Sequence, residues 1–358
     1  MSSHETEHGG DIYSAAEALK KIPANRIIDF SASINPLGPS KKVKAEIRKS
    51  LKYLGRYPDP ACRRLSKRIG RIYNIDPANI ICGNGSNELI HLMVAALKPS
   101  KVLVTAPSFS EYSRAAKIAG AGINKLYLEE KNMFRIDPER FALSMQGCDM
   151  AFLGNPNNPT GHVLSKDKVL FIADQAASAG CLLVVDEAFI DFCPKESVIE
   201  INTLYSNNNL VVLRSLTKFH ALAGLRIGFG VFPQSLTTVL KETKDPWSVN
   251  YLAQRAAYVA LGDKVFVKET AKWLKQEKTL LESEFSKLGF TVLPSEANFI
   301  FIQHPKAQQI RNRLYKRGIL LRDCSNFEGL NSSYLRIAVR SRRENSRLIK
   351  ELRFCIKK

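Results

Sequence analysis

Lys218 closes the run Arg214-Ser215-Leu216-Thr217-Lys218, which begins where an apolar stretch, Leu210 to Leu213, leaves off. Two hydroxyls and an amine therefore follow one another at the end of a predicted strand. Further on, Arg226 stands between Gly224 and Gly228. An amine in this setting can form an imine with an aldehyde while Ser215 and Arg226 grip a phosphate on the same molecule. A lone lysine is ordinarily a solvated surface charge. The chemical reading needs partners, and other strand ends offer them.

Ile80-Ile81-Cys82 reads as a short strand and leads into Gly83-Asn84-Gly85-Ser86-Asn87-Glu88, after which a helix runs to Leu97. A glycine turn opening a helix leaves unpaired N–H groups that suit a phosphate. The strand Val102 to Val104 leads to Pro107-Ser108-Phe109-Ser110-Glu111-Tyr112, where the Phe109 ring can cover a flat molecule or simply fill a core. Asp149 to Leu153 ends in the stiff, amide-rich loop Asn155-Pro156-Asn157-Asn158-Pro159-Thr160-Gly161, and Cys181 to Val185 ends in Asp186-Glu187-Ala188-Phe189. One cofactor accounts for these features together. Pyridoxal phosphate needs an amine for the imine, an acid against its ring nitrogen, a donor to its phenolic oxygen and a phosphate cup. Lys218, Asp186 and Asn158 can supply the first three, and Gly85, Ser86, Asn87, Ser215 and Arg226 the cup. Lys218 and Asp186 are the catalytic pair in this reading.

The elements that must position these groups alternate helix and strand from about residue 60. The strands are apolar runs rather than alternating ones, which predicts an α/β fold: a mostly parallel central sheet covered on both faces by helices, with its site at the carboxyl edge. The first 40 residues form an arm punctuated by Gly and Pro, containing His8-Gly9-Gly10 and a stretch from Asp29 to Gly38 that includes Asn35. Residues 41–245 make the large domain. Pro246-Trp247 marks a change of character, and 246–358 make a smaller α/β domain that the arm joins, with helices at 249–262, 264–288, 305–317 and 342–356 and strands at 298–303, 319–322 and 334–339.

Composition narrows the class. The chain has 358 residues, 45% hydrophobic and 24% charged, with no apolar run of membrane-spanning length and no signal-peptide core. The seven cysteines form no C-x-x-C pair, which favours reduced thiols in a cytoplasm. The net charge is +19, and residues 300–358 carry 15 Lys and Arg against 4 Asp and Glu. Charge of this kind can serve nucleic acid, but no zinc finger, RNP-type aromatic pattern or long basic helix accompanies it. A basic surface that attracts small anions is the simpler reading, without nucleic acid or membrane as partner. Asp186-Glu187 after an apolar strand suits an ATPase, yet no G-x-x-x-x-G-K-[ST] run exists; Gly228-Phe229-Gly230 lacks a third glycine; no G-x-S-x-G is present. The six histidines, His4 and His8 among them, show no metal-ligand spacing, so no metal is expected.

Asn158-Pro159-Thr160-Gly161, Asp186-x-Ala188 and Ser215-x-x-Lys218 with Arg226 resemble the fold-type I aminotransferase superfamily over nearly the whole chain. The resemblance implies a homodimer in which Tyr57 reaches the phosphate of the neighbouring subunit's cofactor. It also implies that Phe109 stacks on the ring and that Arg336 clamps the substrate carboxylate, with Arg322 beside it. Within the superfamily, His8-Gly9-Gly10, Arg56-Tyr57-Pro58-Asp59, Pro246-Trp247-Ser248-Val249-Asn250 and Arg322-Asp323-Cys324-Ser325-Asn326-Phe327 are most similar to the threonine-phosphate decarboxylases of cobalamin synthesis. That family implies a small phosphorylated amino acid as substrate, with His8, Gly9 and Asn35 as candidates for its phosphate. The histidinol-phosphate aminotransferases are the alternative. They usually carry Glu where this chain has Ile34 and Tyr where it has Phe189, and serine phosphate differs from threonine phosphate by one methyl, which a pocket discriminates weakly.

Overall fold

Val211 and Leu213 face one way from the strand Leu210–Ser215 and Leu210 and Val212 the other, and all four are fully buried. An apolar strand with both faces buried demands a layer of helices on each side. The computed structural model, which describes residues 8–199 and 209–356, has that arrangement. Its large sheet has seven strands: β2 (Ile80–Gly83), β3 (Lys101–Ala106), β4 (Gly122–Tyr127), β5 (Met150–Gly154), β6 (Leu182–Asp186), β7 (Leu210–Ser215) and β8 (Gly228–Val231). They lie in the order β2-β8-β7-β6-β5-β3-β4, all parallel except β8, which runs antiparallel to both β2 and β7.

Leu103, Leu153, Val185 and Val212 join a core with Leu65, Ile69, Val169, Ile172 and Ala253, from helices on one face. Val104, Phe152, Val184, Val211 and Leu213 join a second core with Leu89, Ile90, Tyr112, Ala115 and Leu240 on the other. Each such side chain contributes roughly 1.5–3 kcal/mol when fully buried. Because parallel strands all end at the same edge, the loops after β3, β5, β6 and β7 converge there.

The arm carries a helix not foreseen from sequence, α1 (Ile12–Leu19), and then β1 (Ile28–Asp29), which pairs in parallel with β11 (Ile319–Leu320). A four-stranded antiparallel sheet in the order β12-β13-β10-β9 is built from β9 (Thr291–Leu293), β10 (Phe299–Gln303), β12 (Arg322–Asp323) and β13 (Tyr334–Ala338). The region predicted as one strand at 319–322 is thus split between two sheets. The long helix Lys264–Lys287 packs Leu274, Leu281 and Phe285 into this second core, while Phe266, near its start, lies 6.2 Å from the Phe219 ring beside Lys218. The basic last sixth is partly neutralised from within: Arg317 and Arg347 both pair with Glu351, Arg342 with Glu277 and Arg353 with Glu284.

Beneath the site, Arg214 is buried and bonds Glu187 at 3.0 Å, Ser197 at 3.2 Å and the Tyr73 hydroxyl at 3.2 Å, and it pairs with Asp191. This network ties the end of β7 to the end of β6. Removing one member of a buried ion pair leaves the other charge uncompensated. Arg214→Met is expected to lower unfolding free energy by about 3–5 kcal/mol, read from denaturant titration.

Candidate active site

Lys218 stands three residues past β7, in a loop whose backbone is held from the arm: the Asn35 amide donates to the Lys218 carbonyl at 3.0 Å. Its ammonium lies 5.9 Å from the Phe189 ring centroid. Burial, with the Arg336 and Arg226 guanidiniums nearby, brings Lys218 down from its ordinary 10.5 to about 8. A nucleophilic amine needs this shift, because only the unprotonated form attacks.

Asp186 is buried at the end of β6, and its direct partners are neutral donors: the Tyr112 hydroxyl at 2.8 Å and the Ala188 amide at 3.0 Å. Burial pushes its carboxyl up, while Tyr112, the amide and the Lys218 charge oppose the shift. Tyr112 is itself fixed by stacking on Phe152 at 4.9 Å, and burial beside Asp186 raises its phenol well above the usual range, so it stays a donor. A buried carboxylate without a directly bonded cation suits a protonated ring nitrogen.

The phosphate cup forms where α4 (Ser86–Leu97) begins, with no side-chain cap on that terminus. Gly85 has φ +80°, and a Cβ there would sit 2.7 Å from Arg226 Nη2; a Cβ on Gly228 would sit 2.5 Å from the Ser86 nitrogen. Gly228 is required by its approach to backbone, and Gly85 by its positive φ. Arg226 itself adopts φ 55°, a costly conformation for a branched-off side chain, and turns its guanidinium toward the helix start. The Ser215 and Thr217 hydroxyls, 2.7 Å apart, complete the donor set.

Arg336 on β13 is buried, and its contacts are all neutral: Asn158 Oδ1, the Ser31 carbonyl at 2.7 Å and the face of Phe299 at 5.1 Å. Burial and neighbouring Arg322 bring it down to about 10, which still leaves a cation at neutral pH. A buried cation among neutral groups calls for an anion, and a substrate carboxylate would supply one. By accepting from Arg336, Asn158 Oδ1 also leaves Nδ2 as the donor a phenolic oxygen needs. Arg322 bonds Asn326 at 2.9 Å and lies over Phe327.

These residues enclose one cavity of about 270 Å³, lined by Lys218, Asp186, Gly85, Ser86, Asn87, Ser215, Arg226, Phe109, Asn158, His8, Gly9, Arg322 and Arg336. Two predicted positions do not line it. Asn35 is corrected: its Nδ2 donates to the Phe219 carbonyl at 2.8 Å and to Thr270 Oγ1 at 2.9 Å, and its Oδ1 accepts from Leu37. It braces the Lys218 loop rather than facing a substrate. Tyr57 is 82% exposed and packs its ring 5.1 Å from Trp247, away from this chain's cavity. Among the described residues no three His, Cys, Asp or Glu side chains gather as for a metal, and His4 lies outside them. Sequence reasoning gave no role to Tyr112 or Glu111, both of which line the cavity from α5 (Ser110–Ile118). The hint available was their place in the first turn of a helix opening at a strand end.

Comparison with known proteins agrees with this geometry. The model of the family "Aminotransferase class I and II" matches residues 25–352. The chain is 36% identical to the threonine-phosphate decarboxylase of Salmonella typhimurium, over 99% of this chain and 97% of that one. It is 38% identical to a histidinol-phosphate aminotransferase of Caldanaerobacter subterraneus, over 83% of each. The crystal structure of L-threonine-O-3-phosphate decarboxylase from Porphyromonas gingivalis superposes with a TM-score of 0.82 at 25% identity, covering 93% of this chain and all (100%) of that one. On that match and that identity, the chain belongs to the aminotransferase class I and II family.

Proposed function

We propose that the chain is a pyridoxal-phosphate-dependent carboxy-lyase that converts L-threonine O-3-phosphate to (R)-1-amino-2-propanol O-2-phosphate and CO₂, a step toward cobalamin. The observation that carries this reading is the identity to the Salmonella threonine-phosphate decarboxylase over nearly the full length of both chains. The histidinol-phosphate aminotransferase match covers less of the chain. Phe189, a residue of the cavity wall, also cannot donate a hydrogen bond as the tyrosine usual in that family can.

When bound, the cofactor supplies an aldehyde for an amine and a ring that takes up the electron pair released at the substrate's α-carbon. Lys218 presents the amine. Asp186 holds a proton at the ring nitrogen, and Tyr112 holds Asp186. Gly85, Ser86, Asn87, Ser215 and Arg226 anchor the phosphate, Asn158 donates to the phenolic oxygen, and Phe109 covers the ring. Arg336 and Arg322 would hold the substrate carboxylate, and by positioning it would decide whether the bond from the α-carbon to the carboxylate or the one to hydrogen is the bond given up. Lys218, freed once the substrate amine takes its place on the aldehyde, would return a proton to the α-carbon.

The functional unit in this reading is a cytoplasmic homodimer. All seven cysteines are free, as a reducing compartment requires, and among the described residues no helix is long and apolar enough to cross a membrane. Leu51, Leu54, Tyr57 and Trp247 are exposed, and Tyr57 packs against Trp247; a second copy seated on that pair would bring Tyr57 to its partner's cofactor. The test incubates purified yellow protein with threonine phosphate and follows both carbon products. CO₂ release without accumulation of pyridoxamine phosphate is expected. Pyridoxamine phosphate with a keto acid, or turnover only of histidinol phosphate with 2-oxoglutarate, would establish the aminotransferase instead.

A further inference from the structure

Besides Asp186, which is committed to the ring nitrogen in this reading, Glu111 is the other carboxyl in a wall made to receive anions. It is 1% exposed, yet it lines the same cavity as Lys218, Arg226, Arg322 and Arg336. A carboxylate there opposes a phosphorylated, carboxylated substrate unless its charge is taken up by other groups. Four side chains take it up. His8 of the arm reaches Oε1 at 2.9 Å; from α4, His91 reaches Oε2 at 2.9 Å and Asn87 Nδ2 donates at 3.3 Å; Arg114, one turn along α5, donates at 3.2 Å. These contacts outweigh burial and hold the carboxyl at about 2, so it is ionised throughout the working range.

The contact to His8 ties the arm to α5. On its other side the arm is held by Ser31: Gly10 N donates to Ser31 Oγ at 2.9 Å, and Ser31 Oγ donates to Asp29. Gly9 lies so close that a Cβ there would be 2.3 Å from the Ser31 carbonyl. Positions 8–10 therefore span from the β1 segment to α5, and His8 rests 5.8 Å from the Phe109 ring. A second cavity, of about 570 Å³, lies across this strap and shares His8, Gly9, Ser31 and Arg322 with the first. The strap is the partition between the two.

We propose that Glu111 is a positioning residue that latches the N-terminal arm over the cavity through His8, so that His8 and Gly9 face the substrate's phosphate. The proposal rests on the phosphorylated substrate named above, but the latch itself can be read without any substrate. Charge alone predicts the opposite sign: removing an anion from the wall tightens binding of an anionic substrate. A latch predicts that removing it loosens binding.

The experiment compares wild type, Glu111→Gln, His8→Gln and the double variant, all loaded with pyridoxal phosphate. Hydrogen exchange over residues 9–19, without substrate, is expected to speed up in Glu111→Gln while the bound-cofactor absorbance is unchanged. With threonine phosphate, KM is expected to rise about tenfold and kcat to stay within about threefold, the loss of one charge-assisted hydrogen bond. The double variant is expected to be no worse than His8→Gln alone, since without His8 the carboxylate has no arm to hold. Glu111→Asp, which keeps the charge, is expected to recover part of the loss. Unchanged exchange in the arm, a fall in KM, or additive losses in the double variant would overturn the latch. If wild type does not turn over threonine phosphate, the substrate reading fails, and the exchange data still decide the latch.

Discussion

Replacing Lys218 with alanine abolishes the absorbance of the protein-bound cofactor imine and lowers turnover by at least about 10³-fold. Borohydride reduction of the wild type leaves the label on the peptide containing residue 218, and none is retained by the variant. The reason is local. Lys218 is the amine that lines the cavity with Asp186 and Asn158, and it combines cofactor attachment with proton return. Since burial and two guanidiniums disfavour the ammonium, its folded-state pKa is depressed, and the amine is half unprotonated near pH 8. Aldehyde capture by cofactor-free protein should therefore rise through about pH 8 and level off above it. A solvated lysine would keep gaining rate to about pH 10.4. A plateau missing at pH 8–9, or reductive label on another peptide, would remove Lys218 from the mechanism.

Asp186→Asn separates function from stability. A neutral amide cannot hold a proton at the ring nitrogen, and kcat is expected to fall on the order of 10²–10³-fold, the range for loss of one preorganised electrostatic contact. The cofactor-free protein should be no less stable, because burial already disfavours the carboxylate there and Asn pays no such charge penalty. The Ala188 amide can still donate to the amide oxygen, while the Tyr112 hydroxyl turns to accept from the amide nitrogen. Thermal unfolding of the cofactor-free variant and steady-state rates of the loaded one measure the two halves. Equal losses in both would make Asp186 a structural acid rather than a functional one.

Legibility in the sequence followed the length of chain over which each cause acts. The strand–loop pairs ending at Ser86, Asn158, Asp186 and Lys218 were readable because an apolar run and the polar group it delivers are adjacent. The helix at 342–356 was predicted to the residue, since its apolar positions recur with helical spacing. The edge strand β4 went unread, because Asn124 and Lys125 interrupt its pattern and an edge needs only partial burial. The antiparallel direction of β8 depends on which neighbours it meets, and no local residue encodes that. Asn35 reads as a candidate for the substrate phosphate, but it is spent on Phe219 and Thr270, partners far along the chain. Glu111 and Tyr112 were invisible as functional groups for the same reason: their meaning comes from His8, His91 and Asp186, which only folding assembles.

The pairing of β1 with β11 also governs when the molecule can be finished. Ile28 and Asp29 are made about 290 residues ahead of Ile319 and Leu320, their only strand partners among the described residues. Until those follow, β1 has no strand to pair with, and the seven-stranded sheet can assemble with its entrance still unbordered. A nascent chain stalled before residue 319 would thus expose the leading segment to proteases, whereas the released one would shield it.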